Sequence, residues 1–478
     1  MAEAPRLDLR TGPPRTFLHV LLNTVVVAVI NFTLWFAVTF WVFLETRSVF
    51  ATGMIGGIFV VATALTGIWF GSVVDHHPKK SVLQGSAAVS LVMYGLCLAV
   101  YLLTPSAAFE RTDSVLLWLF VVLLMLGVIA GNLRMIALST LVTLLIPAGV
   151  RDRANGLVGT TSGVSFLVTS VISGLLVAAG GMLYALLLAL VVLSVSLVHL
   201  SRVSIPGDRP GRLDDAAAEP TPAGDALGPA VELQTAVLDR RVDLRGTVRL
   251  VRGVPGLLAL IGFTCFNNLL GGVFMALLDA YGLSLVEVQV WGLLWGGLST
   301  GVIVGGLLVA KIGLGPSPVK TLLVVNLVLW STTCLFPLRE SLVVLTVGLY
   351  AYMLIVPFAE AAEQTILQGV VPYERQGRVF GFAQSVEQAA SPLTAFLVGP
   401  LTQFVVIPSM TDGVAADAIG GWFGTGADRG IALVFLLSGV VGLVATLLAL
   451  ASRPYRRLSA AVETSAATEP AGVAPSAS

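Results

Sequence analysis

From Leu18 to Leu44 the chain carries no Asp, Glu, Lys or Arg. A helix needs roughly 20 apolar residues to cross the hydrocarbon layer of a bilayer, so this run is long enough to span. Breaking the chain at polar and Pro/Gly clusters yields twelve such segments. They lie near 17–44, 50–74, 80–103, 115–146, 155–179 and 182–200, then near 255–280, 285–310, 319–338, 341–371, 379–407 and 431–451. Charged residues make up 11% of the chain, against about 25% in a soluble domain. The expectation is an all-α integral membrane protein of twelve transmembrane helices. Arg6, Arg10 and Arg15 before the first run imitate a signal peptide. The run is too long for one and lacks a small-residue cleavage site, so it reads as a retained span.

Basic residues orient the spans. The tails, the central linker and the loops after spans 2, 4, 8 and 10 hold nearly all of them, including Lys79, Lys80, Arg151, Arg153, Lys311, Lys320, Arg375 and Arg378. The other side keeps Arg47, Arg111, Arg339 and Arg429. The positive-inside rule then places both termini in the cytoplasm. The expected divisions are an N-tail (1–16), a six-helix bundle (17–200), a cytoplasmic linker (201–253), a second bundle (254–451) and a disordered cytoplasmic tail (452–478). The first part of the linker is rich in Pro, Gly, Ala and acids, which suggests disorder. Its basic end is more helix-like and suits either an anionic leaflet or plain solvent.

The halves echo each other. TGIWFG at 66–71 aligns with TGVIVG at 300–305, and PAGVRDRANG at 147–156 with PYERQGRVFG at 372–381. Glu45 and Asp279 each close the first span of a half, with Phe32 and Phe266 at equal offsets before them. Paired six-helix halves are a design of secondary transporters, whose substrate site lies between the halves near the midplane. Gly67 and Gly71, Gly292 and Gly296, and Gly301 and Gly305 have the small-x-x-x-small spacing that lets helices approach closely.

Polar residues inside the spans point to function. A charged side chain at the bilayer centre costs about 2.5–3.5 kcal/mol on insertion scales. Glu360 and Glu363 share one face of span 10, beside Gln364, and Glu387 stands in span 11 with Gln384 and Gln388. A carboxyl kept from water takes up a proton and returns it when the cavity wets, which is proton-coupling chemistry. Inter-helix hydrogen bonding is the structural alternative for each. Arg134 in span 4 falls near the counterpart of Glu360 in the repeat and is expected to face it across the cavity, or to neutralise a buried acid permanently. Asn31, Trp35, Phe266, Asn267, Asn268, Trp291 and Trp295 are candidates for an apolar pocket with few polar groups, or for lipid-facing packing. Glu45, Asp279, Arg153 and Arg378 are candidate rim or gate groups, or interfacial charges.

Other chemistries lack support. GPSPVKT at 315–321 has no glycine before Lys320, as a phosphate loop would require. No HExxH pattern occurs, no GxSxG elbow at a strand-to-helix turn supports a serine hydrolase, and Cys97, Cys265 and Cys334 sit in apolar segments without metal-ligand spacing. No enzyme, metal, cofactor or nucleic-acid partner is expected.

The loop GSVVDHHPKK, residues 71–80, resembles motif A of the major facilitator superfamily. Gly71, Asp75, Lys79 and Lys80 match. His76 and Pro78 stand where that pattern favours a basic residue and a glycine. The resemblance implies that Asp75 caps the cytoplasmic start of span 11 in the outward-open state. Residues 31–48, 266–284 and 419–433 make the whole chain similar to the drug:proton antiporter-3 branch. That branch implies a monomer in the bacterial inner membrane, in contact with lipid, exporting small amphipathic compounds in exchange for protons. Export of one endogenous metabolite such as a siderophore, proton symport, and a non-transporting sensor are the rival readings.

Overall fold

The computed structural model describes residues 7–46, 48–208 and 244–468. Arg47 and most of the linker, 209–243, lie outside these residues, as do 1–6 and 469–478. Every regular element among the described residues is helical. The N-terminal half contains α1 (Gly12–Thr46), α2 (Val49–His76), α3 (Lys79–Leu103), α4 (Val115–Leu145) and α5 (Arg151–Arg202). A short α6 (Leu244–Gly253) precedes α7 (Leu257–Leu285), α8 (Val288–Ile312), α9 (Pro318–Leu335), α10 (Leu342–Val370) and α11 (Gln376–Leu401). Then come α12 (Ile407–Asp412), α13 (Val414–Phe423), α14 (Ala427–Ala451) and α15 (Arg453–Thr468).

Among the described residues, eleven continuous helical stretches are long and apolar enough to span a membrane. One of them, α5, has 52 residues. Straight, it would reach about 78 Å, over twice the hydrocarbon thickness. It breaks at Gly180 (φ −160°) and Gly181 (φ 59°, ψ −150°), and the positive φ suits only glycine without strain. Both ends of α5 lie at one face. Asn155, near its start, bonds Gln368 just before Tyr373; the Tyr373 ring lies under Lys79; and Lys80 bonds Ser201 O near the end of α5. The two arms therefore make two spans, and the total is twelve.

Packing repeats between the halves. Helix α1 lies on α5 as α7 lies on α11, and α3 on α4 as α9 on α10. The two main contacts between the halves, α2 with α11 and α5 with α8, exchange under the same operation. The first is a glycine crossing. A Cβ on Gly67 would meet Gly381 O at 2.8 Å, and one on Gly377 would meet Gly71 O at 2.6 Å. In the second, a Cβ on Gly306 would meet Gly156 O at 2.7 Å. Gly301 and Gly305 instead pack against α10. Gly292 and Gly296 correct the spacing argument, since a Cβ on either meets nothing within 4 Å.

Two surface helices lie on the face where both ends of α5 stand. Helix α6 turns Thr247 and Val251 inward and leaves Arg245, Arg249 and Arg252 exposed. Helix α15 occupies much of the stretch expected to be disordered. Tyr455 and Leu458, three residues apart, are buried on one face, and the Tyr455 hydroxyl donates to Ala259 O at 2.8 Å. Arg453, Arg456 and Arg457 remain exposed. The turn between α6 and α7, at Gly256 (φ 83°), lies against Pro454 and Leu458 of α15.

On the opposite face Arg429, one of the few basic residues of that side, is buried at 3% exposure. Its Nε donates to Phe423 O at 2.6 Å, its Nη2 to Leu338 O at 3.3 Å, and its guanidinium lies 4.0 Å from the Phe423 ring centroid.

Candidate functional site: a cavity between the halves

A cavity of about 730 Å³ lies between the two bundles. Its wall from the first half is aromatic. Trp35 stacks on Phe59 with centroids 5.1 Å apart, and Phe32 lies 5.9 Å from Phe166. Asn31 accepts from the Tyr94 hydroxyl at 2.7 Å, which fixes its amide, yet its Nδ2 has no partner. The Trp35 indole N–H likewise has none. Both line the cavity, so each offers an unused donor near it.

The wall from the second half is acidic. Glu360 lies on the cavity wall and is exposed there, with Gly159 of α5 nearby. Glu363 on α10 meets Glu387 on α11, and the Thr264 hydroxyl of α7 adjoins Glu363. Three helices thus converge on one carboxyl pair. Glu387 Oε1, Gln364 Oε1 and Gln384 Oε1 have no hydrogen-bond partner. Asn267 and Asn268 also reach the cavity, and Asn267 Oδ1 accepts the Trp330 indole N–H at 2.8 Å. This combination offers a ligand flat apolar surface on one side and carboxyls and amides on the other.

Arg134 differs from expectation. It reaches the cavity but is 1% exposed, and Nη1 donates to Asn23 Oδ1 at 2.8 Å and Nη2 to Leu83 O at 3.2 Å. Among the described residues no carboxylate accepts from it, and it forms no ion pair with Glu360. Neutral oxygens on α1 and α3 supply its acceptors, and it ties those helices to α4.

Phe266, Trp291 and Trp295 lie outside the cavity lining. Each residue turns a helix by about 100°, so Phe266 takes another direction from Asn267 and Asn268. The indoles of Trp291 and Trp295 both donate to Asp279 Oδ1, at 2.9 and 3.1 Å. The rim acid is thereby anchored to α8. Glu45, its counterpart in the repeat, is half-buried near the end of α1.

On the face carrying the chain ends, the halves are bonded shut. Asp75, with a side chain 3% exposed, accepts from the backbone N–H of Gly377 at 2.7 Å and of Arg378 at 2.9 Å. Those groups open α11, where a helix presents its positive end and unpaired donors. Arg378 Nε lies 3.7 Å from Asp75. Lys79 and Lys80 do not bond Asp75. Their backbone N–H groups are capped by Asp208 at 2.6 and 2.7 Å, and Lys79 Nζ donates to Val74 O.

The symmetry-related contact reverses the roles. Asp152, in the first turn of α5, accepts from Leu314 N at 2.7 Å, and Arg153 Nη1 donates to Lys311 O at 3.0 Å. Sequence reading passed over Asp152, although an acid in the first turn of a span was visible there. Nearer the cavity, Asn155 bonds Thr365 and Gln368, which also reaches Ser139 O. Among the described residues, every hydrogen bond between the halves lies on this side of the cavity. The arrangement is a central chamber with one bonded exit.

A family model described as Major Facilitator Superfamily matches residues 20–395. Comparison with curated protein sequences gives no match. Among solved structures, the chain is similar to a bacterial homologue of the iron transporter ferroportin in an outward-facing state. The TM-score is 0.60 at 15% identity, covering 92% of this chain and 100% of the other. The proton:xylose symporter XylE gives 0.61 at 13% identity, covering 92% and 96%. The human organic anion transporter MFSD10 gives 0.61 at 15%, covering 92% and 100%. These likenesses establish the fold, and the family model covers most of the sequence. With twelve spans, a chamber between related halves and a bonded exit, the chain is a multi-pass membrane transport protein and belongs to the Major Facilitator Superfamily.

Proposed function

We propose that this protein exports amphipathic, largely apolar compounds in exchange for protons, as a drug:proton antiporter-3 type carrier of the bacterial inner membrane. The observation that carries the reading is the division of the chamber, with Trp35 and Phe59 on one wall and Glu360, Glu363 and Glu387 on the other. An amphipath lays its apolar body on the aromatic wall and presents its polar end to the acids. Two carboxyls in contact, Glu363 and Glu387, favour holding one proton between them. Binding that displaces this proton couples cargo to the gradient. A gradient of 100 mV supplies about 2.3 kcal/mol per charge moved.

The bonded face is taken as cytoplasmic, with both termini on it, because its loops are basic. The structure then stands open to the outside. The exposed arginines of α6 and α15 face the anionic headgroups of that leaflet. The carrier works as a monomer, since one chain encloses the chamber.

The test is flux of a fluorescent lipophilic dye into inside-out proteoliposomes under an imposed pH gradient. Accumulation driven by an acidic interior, and its loss in Glu360→Gln with unchanged melting temperature, supports exchange. Dye movement indifferent to the gradient, or uptake of only a single polar metabolite, overturns it.

A further inference from the structure

His76 is one of the two residues, with Pro78, at which the motif-A loop departs from its family pattern, and its surroundings give that departure a chemical consequence. It sits at the end of α2, next to Asp75, and is half-buried. Its Nδ1 lies 2.7 Å from Ser72 O, one turn earlier on the same helix. A carbonyl oxygen only accepts, so Nδ1 carries the hydrogen. Its Nε2 lies 2.9 Å from Arg378 Nη2, across the junction between the halves. A guanidinium only donates, so Nε2 must offer a lone pair. The two contacts together fix one species, the neutral imidazole protonated at Nδ1.

We infer that His76 is a positioning residue of the gate, holding Arg378 only while its ring is neutral, so that acid on this face loosens the exit. The inference rests on reading this face as the one that opens in alternating access. A proton on Nε2 replaces the acceptor with an N–H directed at a cation. One hydrogen bond is lost and two positive charges oppose each other at the same contact. Arg378 also supplies Asp75 with a backbone donor and a nearby guanidinium, so displacing it strains the capping of α11 as well. A fixed cation at position 76 cannot accept from Arg378 at any pH, whereas histidine makes the contact conditional.

The other charged and titratable groups of this junction are distributed as follows. Asp75 faces Arg378 from α2, and His77 is exposed and turned back onto Val73 O. Lys79 lies over the Tyr373 ring and bonds Val74 O, with Asp208 at the start of α3. Glu374 and Arg375 follow Tyr373 in the turn before α11. Among the described residues, the hydrogen bond of His76 Nε2 is with Arg378, so that contact is the one its protonation removes.

The experiment places spin labels at the exposed positions Ser81 and Lys320, one in each half, in full-length protein whose three native cysteines are replaced by serine. Distances are recorded in lipid nanodiscs without cargo or gradient, so failure of drug or proton transport leaves the result intact. Between about pH 8 and about pH 5, the population with the longer separation is expected to rise about tenfold, as loss of a charge-assisted hydrogen bond implies. His76→Gln keeps an acceptor but does not titrate, and is expected to stay short at both pH values. His76→Arg is expected to be long at both. A titration that survives in His76→Gln overturns the inference and moves the sensor to Asp75 or the chamber acids. A wild type indifferent to pH overturns it outright.

Discussion

Asn155 and Gln368 exchange amide hydrogen bonds across the two halves, at 2.9 and 3.2 Å, and both side chains are buried. Gln368 also reaches Ser139 O, and Asn155 reaches Thr365 Oγ1. This uncharged latch joins α5 to α10 between the chamber and the gate. Asn155→Leu leaves the Gln368 amide buried and short of partners, at about 1–3 kcal/mol. Because the bonds exist only in the closed arrangement, the population opens on this face by roughly tenfold, since 1.4 kcal/mol is a decade. Thiol accessibility of a cysteine placed at Ser139 reads the change.

The crossing of α2 and α11 leaves no room for side chains at Gly67, Gly71, Gly377 and Gly381. Gly71→Val and Gly381→Val drive atoms into opposing backbone, which cannot give way as a flexible side chain would. Each variant is expected to favour separation of the halves on the bonded face while the helices themselves remain formed. Unchanged circular dichroism together with increased accessibility at Gly377 checks this. Gly292→Ala, which meets open space, serves as the control and leaves both readings unaltered.

Glu363 and Glu387 come from different helices, with Thr264 beside them. Under the proposed exchange, Glu363→Gln keeps a hydrogen-bonding side chain of similar shape but cannot cycle a proton. Cargo-induced proton release in weakly buffered detergent solution is expected to vanish in Glu363→Gln and in Glu387→Gln alike. Binding of the fluorescent dye should change by less than about tenfold, because the aromatic wall is untouched.

Arg429 holds α14 against the turn after α13 and the end of the helix pair at Leu338. Removing it leaves two carbonyl oxygens without their donor and strips the Phe423 ring of its cation. Arg429→Ala is expected to cost about 2–4 kcal/mol, from the lost charge-assisted bonds and the ring contact. Arg429→Lys, a point donor without the guanidinium fork, recovers only part of this. Thermal melting in detergent measures both.

The spans were legible because lipid demands a long apolar helix, and that demand is written into each run of residues. Even the break within α5 was visible at Gly180–Gly181, since two segments end and begin there. Asp75 was legible through the motif that surrounds it. Other placements depended on rotation about a helix axis, which apolar sequence does not encode when every face is apolar. Trp291 and Trp295 therefore read as pocket residues but serve Asp279. Arg134 read as a partner for Glu360 because the repeat sets its depth, while the acceptors it uses, Asn23 and Leu83, come from two other helices. Gly377 and Gly381 were in view only as part of a loop alignment. Their role follows from which helix of the other half lies opposite, and that is long-range information.

The arginines of α6 and α15 offer a final measurable consequence. Arg245, Arg249, Arg252, Arg453, Arg456 and Arg457 are exposed on two surface helices, and the turn after the first of them packs through Gly256 on Pro454 of the second. Each helix begins or ends within a few residues of a span, so these charges stand at headgroup depth. Juxtamembrane basic residues gain about 1 kcal/mol each near an anionic surface at moderate salt. The protein in nanodiscs containing phosphatidylglycerol is therefore expected to melt several degrees higher than in phosphatidylcholine alone. The difference should shrink in a variant with glutamine at Arg249, Arg252, Arg456 and Arg457, and as salt shortens the range of the field to about 3 Å at 1 M. An equal lipid response in that variant would mean that the preference arises elsewhere on the molecule, with Lys311 and Lys320 the next residues to replace.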